Sequence, residues 1–153
     1  MNSRAALWPV LIAGAAMGLL GNLPLLNLVN CILCLWVWLG GGAAVLLYRR
    51  FQPGGPGPTP GQGAALGALS GVVGALIGAV VYYLTASLSR PIMNSLAQAL
   101  SVDVPFGTQE SGSALGGMLV FLAFDIVLYP LFAALGGLIT VNLTKPKAAP
   151  NAA

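Results

Sequence analysis

Four runs of apolar residues, about 5–23, 31–48, 63–84 and 115–141, decide what this chain can fold into. A helix that crosses the hydrocarbon core of a bilayer needs about 20 mostly apolar residues. The first two runs sit near the lower limit, and the last is long enough to tilt or reach past the interface. Charge argues the same way. Only 6% of the 153 residues are Asp, Glu, Lys or Arg, whereas a water-covered domain carries about a quarter. The sequence therefore predicts a single all-α, polytopic membrane domain over residues 1–153, a four-transmembrane-helix bundle.

The connections carry their own signals. In "GNLPLLNLVN" (21–30), Pro24 and the asparagines Asn22, Asn27 and Asn30 mark a tight hairpin. Arg4 ahead of the first apolar run would also suit a cleavable secretory signal, but three further runs make an uncleaved first helix the simpler reading. "QPGGPGPTPGQ" (52–62) reads as an extended, solvated, partly polyproline II spacer on the cytoplasmic side. Pro53 and Pro56 also fit a PxxP ligand, which needs more than composition to sustain it. Residues 85–113 form the one sizeable loop. There Leu88, Ile92, Leu96 and Leu100 recur every four residues, with Ser89 as a cap and Pro91 in the first turn. That pattern predicts a short amphipathic interfacial helix, with a re-entrant helix as the alternative.

Charge placement orients the spans. With the amino terminus inside, Arg4, Arg49, Arg50, Lys145 and Lys147 fall on the cytoplasmic side, and Arg90, Asp103 and Glu110 fall outside. This is the positive-inside pattern, and it puts both termini in the cytoplasm of a cell-membrane protein. The net charge of +3 then reads as topology. No basic stripe or aromatic platform supports nucleic-acid binding, so the expected partners are the lipid bilayer and a homo-oligomer.

The chain has no histidine and two cysteines. A His-based metal centre and a Ser-His-Asp triad are both excluded, so no enzyme activity, cofactor or metal is expected. Cys31 and Cys34 form a C-x-x-C pair just inside the outer end of the second span. The βαβ context of a thioredoxin-like site is missing, and one pair offers too few ligands for structural zinc. Two buried thiols, an outer-leaflet disulfide, or a quinone-linked thiol exchange site are the readings left.

The third span carries a glycine zipper. At 100° per residue, Gly63, Gly67, Gly71, Gly74 and Gly78 fall within an arc of about 80°. Leu66, Leu69, Val73, Leu76, Ile77 and Val80 occupy the other side. Such a groove admits another helix backbone, either within the bundle or from a second copy. Gly14 and Gly18 repeat the device weakly, and Gly40, Gly41 and Gly42 allow a kink or a close crossing in the second span. Trp8 can anchor at the interface, while Trp36 and Trp38 lie deeper.

The fourth span, "LVFLAFDIVLYPLF" at 119–132, contains a carboxylate. A charged Asp at mid-span costs about 2.5–3.5 kcal/mol on insertion scales, and no basic residue lies at the depth of Asp125 in another span. Asp125 is therefore expected to be neutral and to donate a hydrogen bond. Tyr129, four residues on, is the expected local partner, and Pro130 frees the carbonyl of residue 126. Asp125 could glue helices together, or serve a small channel or transporter as its proton or cation site.

Residues 23–50, "LPLLNLVNCILCLWVWLGGGAAVLLYRR", and 61–79, "GQGAALGALSGVVGALIGA", resemble a group of uncharacterised small bacterial integral membrane proteins. These share an L-P-x-x-N-x-x-N-C-x-x-C-L-W hairpin, a Gly-Gly step, a basic tail and a glycine-rich third helix. The resemblance covers about a third of the chain. It implies a bacterial cell-membrane location and a four-helix plan, with no assigned activity or site.

Overall fold

The computed structural model describes residues 3–22, 34–101 and 114–144. These form four α-helices: α1 (Ser3–Asn22), α2 (Leu35–Phe51), α3 (Pro60–Leu100) and α4 (Ala114–Leu143). The described chain is all-helical. Three stretches are long and apolar enough to cross a membrane, namely Ala5–Asn22, Pro60–Thr85 and Leu115–Leu143. The second apolar run behaves differently. Its helix starts at Leu35 and has 17 residues, about 25 Å at 1.5 Å per residue, which puts α2 at the lower limit for a span.

Helix directions follow from which residues meet. Gly14 and Gly18 on α1 lie against Ser70 and Gly74 on α3, in the same order, so the two helices run parallel. Gly63, Gly67 and Gly71 meet Gly137, Ala133 and Pro130 of α4 in reverse order, so this pair is antiparallel. Among the described residues no Cα of α1 comes within 8 Å of one in α4, whereas α2 and α3 approach that closely. The cross-section is therefore a four-helix array, with α1 and α4 at opposite corners and α2 and α3 meeting across the centre. Small residues make this closeness available: one core cluster joins Ala6, Val10, Ala13, Ala44, Val45, Tyr48, Leu66 and Val141. A second joins Met17, Val37, Ala75, Tyr129 and Ala133.

The connection from α2 to α3 is more ordered than an extended spacer. The amide of Gly55 donates to the Gln52 carbonyl at 3.2 Å, and Gly54 has φ +80°. With Pro53 at the second position this is a type II turn, whose third position needs positive φ. Thr59 then caps α3. Its hydroxyl accepts from the Gln62 amide at 3.3 Å, and the Gln62 side-chain carbonyl accepts from the Thr59 amide at 3.0 Å. Thr59-Pro60-Gly61-Gln62 is thus a capping box with proline in the first helical position.

The expected break after the third span is absent. Residues 85–100 continue α3, which is 41 residues long with Pro91 inside. No glycine interrupts the chain between Gly78 and Gly107, and Pro91 withdraws only the bond to the Ser87 carbonyl. At about 60 Å this helix is twice the thickness of a hydrocarbon core. Ser101, with φ 51°, takes the left-handed conformation that stops helices.

Candidate functional site

The glycine face of α3 changes partner along its length. A Cβ at Gly63 would strike the Val141 side chain, and one at Gly67 would strike the Ala133 carbonyl. At Gly71 it would stand 2.6 Å from the Pro130 N and Cα. These three glycines seat α4. A Cβ on Gly74 would instead lie 3.2 Å from the Met17 methyl and 3.3 Å from the Gly14 carbonyl. A Cβ on Gly78 would stand 2.5 Å from the nitrogen of the Asn22 side-chain amide. The last two glycines therefore seat α1. That amide also donates to the Gly18 carbonyl at 2.9 Å.

The other helices answer in kind. On α2, Gly40 faces Met17 of α1, while Gly41 meets the Ala133 carbonyl and Gly42 the Thr140 hydroxyl, both on α4. These three glycines serve close crossings. The pair Gly136–Gly137 was not singled out from the sequence, yet it is the wedge of α4. Gly136 seats against the Trp38 carbonyl of α2 and Gly137 against the Gly63 carbonyl of α3. A Gly-Gly step after Pro130, on the same face as Ala133, was the available signal.

Ser and Thr hydroxyls inside the array satisfy themselves locally. The fully buried Ser70 hydroxyl donates to the Gly67 carbonyl at 2.8 Å. Thr140 donates to the Gly136 carbonyl at 2.9 Å, and Thr85 to the Val81 carbonyl at 2.7 Å. Such back-bonding keeps a hydroxyl on its own helix and out of lipid. At one end, Arg49 Nη1 donates to the Thr144 carbonyl at 2.7 Å, a cation capping the α4 carboxyl terminus. In the sequence alone Arg49 is only a topology charge. Trp38 packs on Phe132 with ring centroids 6.0 Å apart, and its Nε1 is buried without a hydrogen-bond partner.

Asp125 has a different setting. It is the sole carboxylate among the described residues and is half-buried, flanked by the exposed Phe124 and Ile126. Tyr129, one turn on, is only 5% exposed and belongs to the core cluster with Met17, Val37, Ala75 and Ala133. The two therefore stand one turn apart on the same helix, Asp125 half-buried and Tyr129 buried. Arg49, at the Thr144 end of α4, is 19 residues along from Asp125, roughly 28 Å. No ion pair between them is possible.

Cys31 lies outside the described residues, as do Asp103 and Glu110. Cys34 is half-buried immediately before α2, with the left-handed backbone φ 53°, ψ 42°. Among the described residues no cluster of His, Cys, Asp and Glu could hold a metal ion. Between α1 and α2 an open apolar hollow of about 140 Å³ is lined by Ala13, Met17, Trp36 and Gly40, among others. Comparison with protein-family models, curated proteins and solved structures finds no match to this chain.

Proposed function

We propose that this chain is a non-enzymatic integral membrane protein, a four-span bundle with both termini cytoplasmic, that serves as an assembly component. Its glycine zipper is internal on this reading, and α4 is the helix that meets a partner. The observation that supports it is the contrast between helices. In the most apolar stretch of each span, 12% of α4 is buried, against 44% of α1 and of α3. That same exposed helix carries Asp125. A carboxyl group bordered by lipid-facing residues gains from a second helix that supplies a hydrogen-bond partner. The partner proposed is a second copy of the chain.

The test is the oligomeric state of the intact protein in nanodiscs, compared with Asp125→Leu. A defined oligomer that becomes monomeric in the variant supports the reading. A wild-type protein that stays monomeric at every protein-to-lipid ratio overturns it. The same carboxyl group favours a second reading, a small channel or transporter. That reading requires liposome ion flux that Asp125→Asn abolishes while fold and assembly persist. Infrared difference spectra of wild type and Asp125→Asn report the protonation state. Loss of a carboxylic C=O band in the variant identifies a neutral acid, and an ionised carboxylate signal at pH 7 contradicts one.

A further inference from the structure

The two halves of α4 are held very differently, and a proline stands where they meet. From Tyr129 onward the helix is locked into the bundle. Tyr129, Ala133, Gly136, Gly137 and Val141 are all buried. Gly136 lies against the Trp38 carbonyl of α2, and Gly137 against the Gly63 carbonyl of α3. Arg49 holds the Thr144 carbonyl at the end. Between Leu115 and Leu128, by contrast, none of the described side chains is buried. This stretch reaches past the start of α2. The two helices run parallel, with Trp38 on Phe132 and Arg49 at Thr144, and Cys34 and Val37 already cluster with Tyr129 and Ala133. The α1 helix is at the opposite corner. Among the described residues that leaves α3 as the neighbour, where the Tyr82 side chain faces Gly117.

Pro130 has no N–H to give the Ile126 carbonyl, and its ring crowds that oxygen, so the helix is weakest at this turn. Prolines are also where sharp helix bends concentrate. The α3 backbone meets α4 at the same place, since a Cβ on Gly71 would stand 2.6 Å from the Pro130 N and Cα. We propose that α4 hinges at Pro130. Residues 129–143 stay in the bundle, and residues 114–128 pivot as an arm that carries Asp125 between two positions. Asp125 is five residues from Pro130, about 7.5 Å along the helix. A change in bend of about 20° moves it by roughly 2–3 Å. That distance separates a hydrogen bond made from one broken. The hinge goes beyond the assembly and transport readings and depends on neither.

The experiment is pulsed electron paramagnetic resonance of the full chain in nanodiscs, on a Cys31→Ser/Cys34→Ser background. Labelled chain is diluted with unlabelled chain, so that distances between copies do not contribute. One nitroxide is fixed on α1 through Leu11→Cys. The second is placed on α4 through Leu138→Cys, Phe124→Cys or Leu119→Cys, all at exposed positions. The distance distribution should be narrow at 138, broader at 124 and broadest at 119. The arms from Pro130 to 124 and to 119 are 6 and 11 residues long. The width in excess of that at 138 should therefore be roughly two-fold larger at 119 than at 124. Pro130→Ala restores the bond to the Ile126 carbonyl and should narrow 119 to the width of 138. Equal widths at 138 and 119 in the Pro130 protein overturn the proposal. So does a broad 119 beside a 124 as narrow as 138, which means that the start of α4 unwinds. Breadth at 119 that persists in Pro130→Ala overturns it as well. Circular dichroism checks that the variant keeps its helices, and the comparison of the three positions stands without it.

Discussion

Adding one methyl group to the glycine face of α3 should have opposite consequences at positions three residues apart. At Gly71 a Cβ would meet the Pro130 N and Cα at 2.6 Å and the Tyr129 carbonyl carbon at 2.7 Å. All three are backbone atoms, which cannot rotate away. Ordinary contact begins at 3.4 Å, so α3 and α4 must part by about 0.8 Å or bend, and dispersion contacts along the seam weaken. Overpacking of this kind costs about 1–3 kcal/mol. Alanine returns roughly 1 kcal/mol through its helix propensity, so Gly71→Ala should lose up to about 2 kcal/mol. At Gly74 the nearest atoms are the end of the flexible Met17 side chain, at 3.2 Å, and the Gly14 carbonyl oxygen, at 3.3 Å, only 0.1 Å inside ordinary contact. A shift of a few tenths of an ångström relieves both, so Gly74→Ala should be neutral or slightly stabilising. Leu69, half exposed on the other face, is the control. Its truncation exchanges one lipid contact for another and should change little. Unfolding in mixed detergent micelles, followed by circular dichroism, ranks the three. Equal losses for Gly71→Ala and Gly74→Ala, or a loss at Leu69→Ala as large as at Gly71, would refute the reasoning.

Arg49→Gln should destabilise the bundle by about 1.5–3 kcal/mol, because a charge-assisted bond to the α4 terminus is lost; the same unfolding titration measures it. Thr59→Ala removes the capping box and should cost about 0.5–2 kcal/mol, with Thr59→Ser retaining most of the stability. On a background lacking Cys31 and Cys34, a single cysteine at position 56 should label from the cytoplasmic side and one at position 103 from the outside. The reverse labelling pattern would remove the N-in arrangement.

Much of the architecture was legible because apolar length is a one-dimensional signal. Residues 5–22, 60–85 and 115–143 announce themselves by hydropathy alone, and the glycine arc of α3 follows from helical periodicity. Its division between two neighbours does not. Gly63, Gly67 and Gly71 differ from Gly74 and Gly78 only in which helix lies opposite, and that is a tertiary fact. The capping box at Thr59–Gln62 and the turn at Gln52–Gly55 were written in the sequence, but abundant proline and glycine disguised specific geometry as a generic spacer. Pro91 misled in the other direction. Proline suits the first turn of a helix and is also tolerated inside one, so it suggested a start where α3 merely continues. The identity of Asp125 and its rough depth could be read. Its half-buried position could not, because that depends on which helices lie opposite α4.

The split glycine face also determines how far α3 can slide. Glycines four residues apart look interchangeable, as if the helix could slip by one turn and settle again. It cannot, because the series is bounded by residues with side chains. Slipping one way brings Ala75 to the place of Gly71 against the Pro130 backbone, and Tyr82 to the place of Gly78 beneath Asn22. Slipping the other way puts Thr59, the cap itself, where Gly63 met Val141, and Ser70 where Gly74 met Met17. Every one-turn displacement thus drives a side chain into space that holds only hydrogen. Two seams read by a single helix act like the two scales of a vernier, and they coincide at one setting.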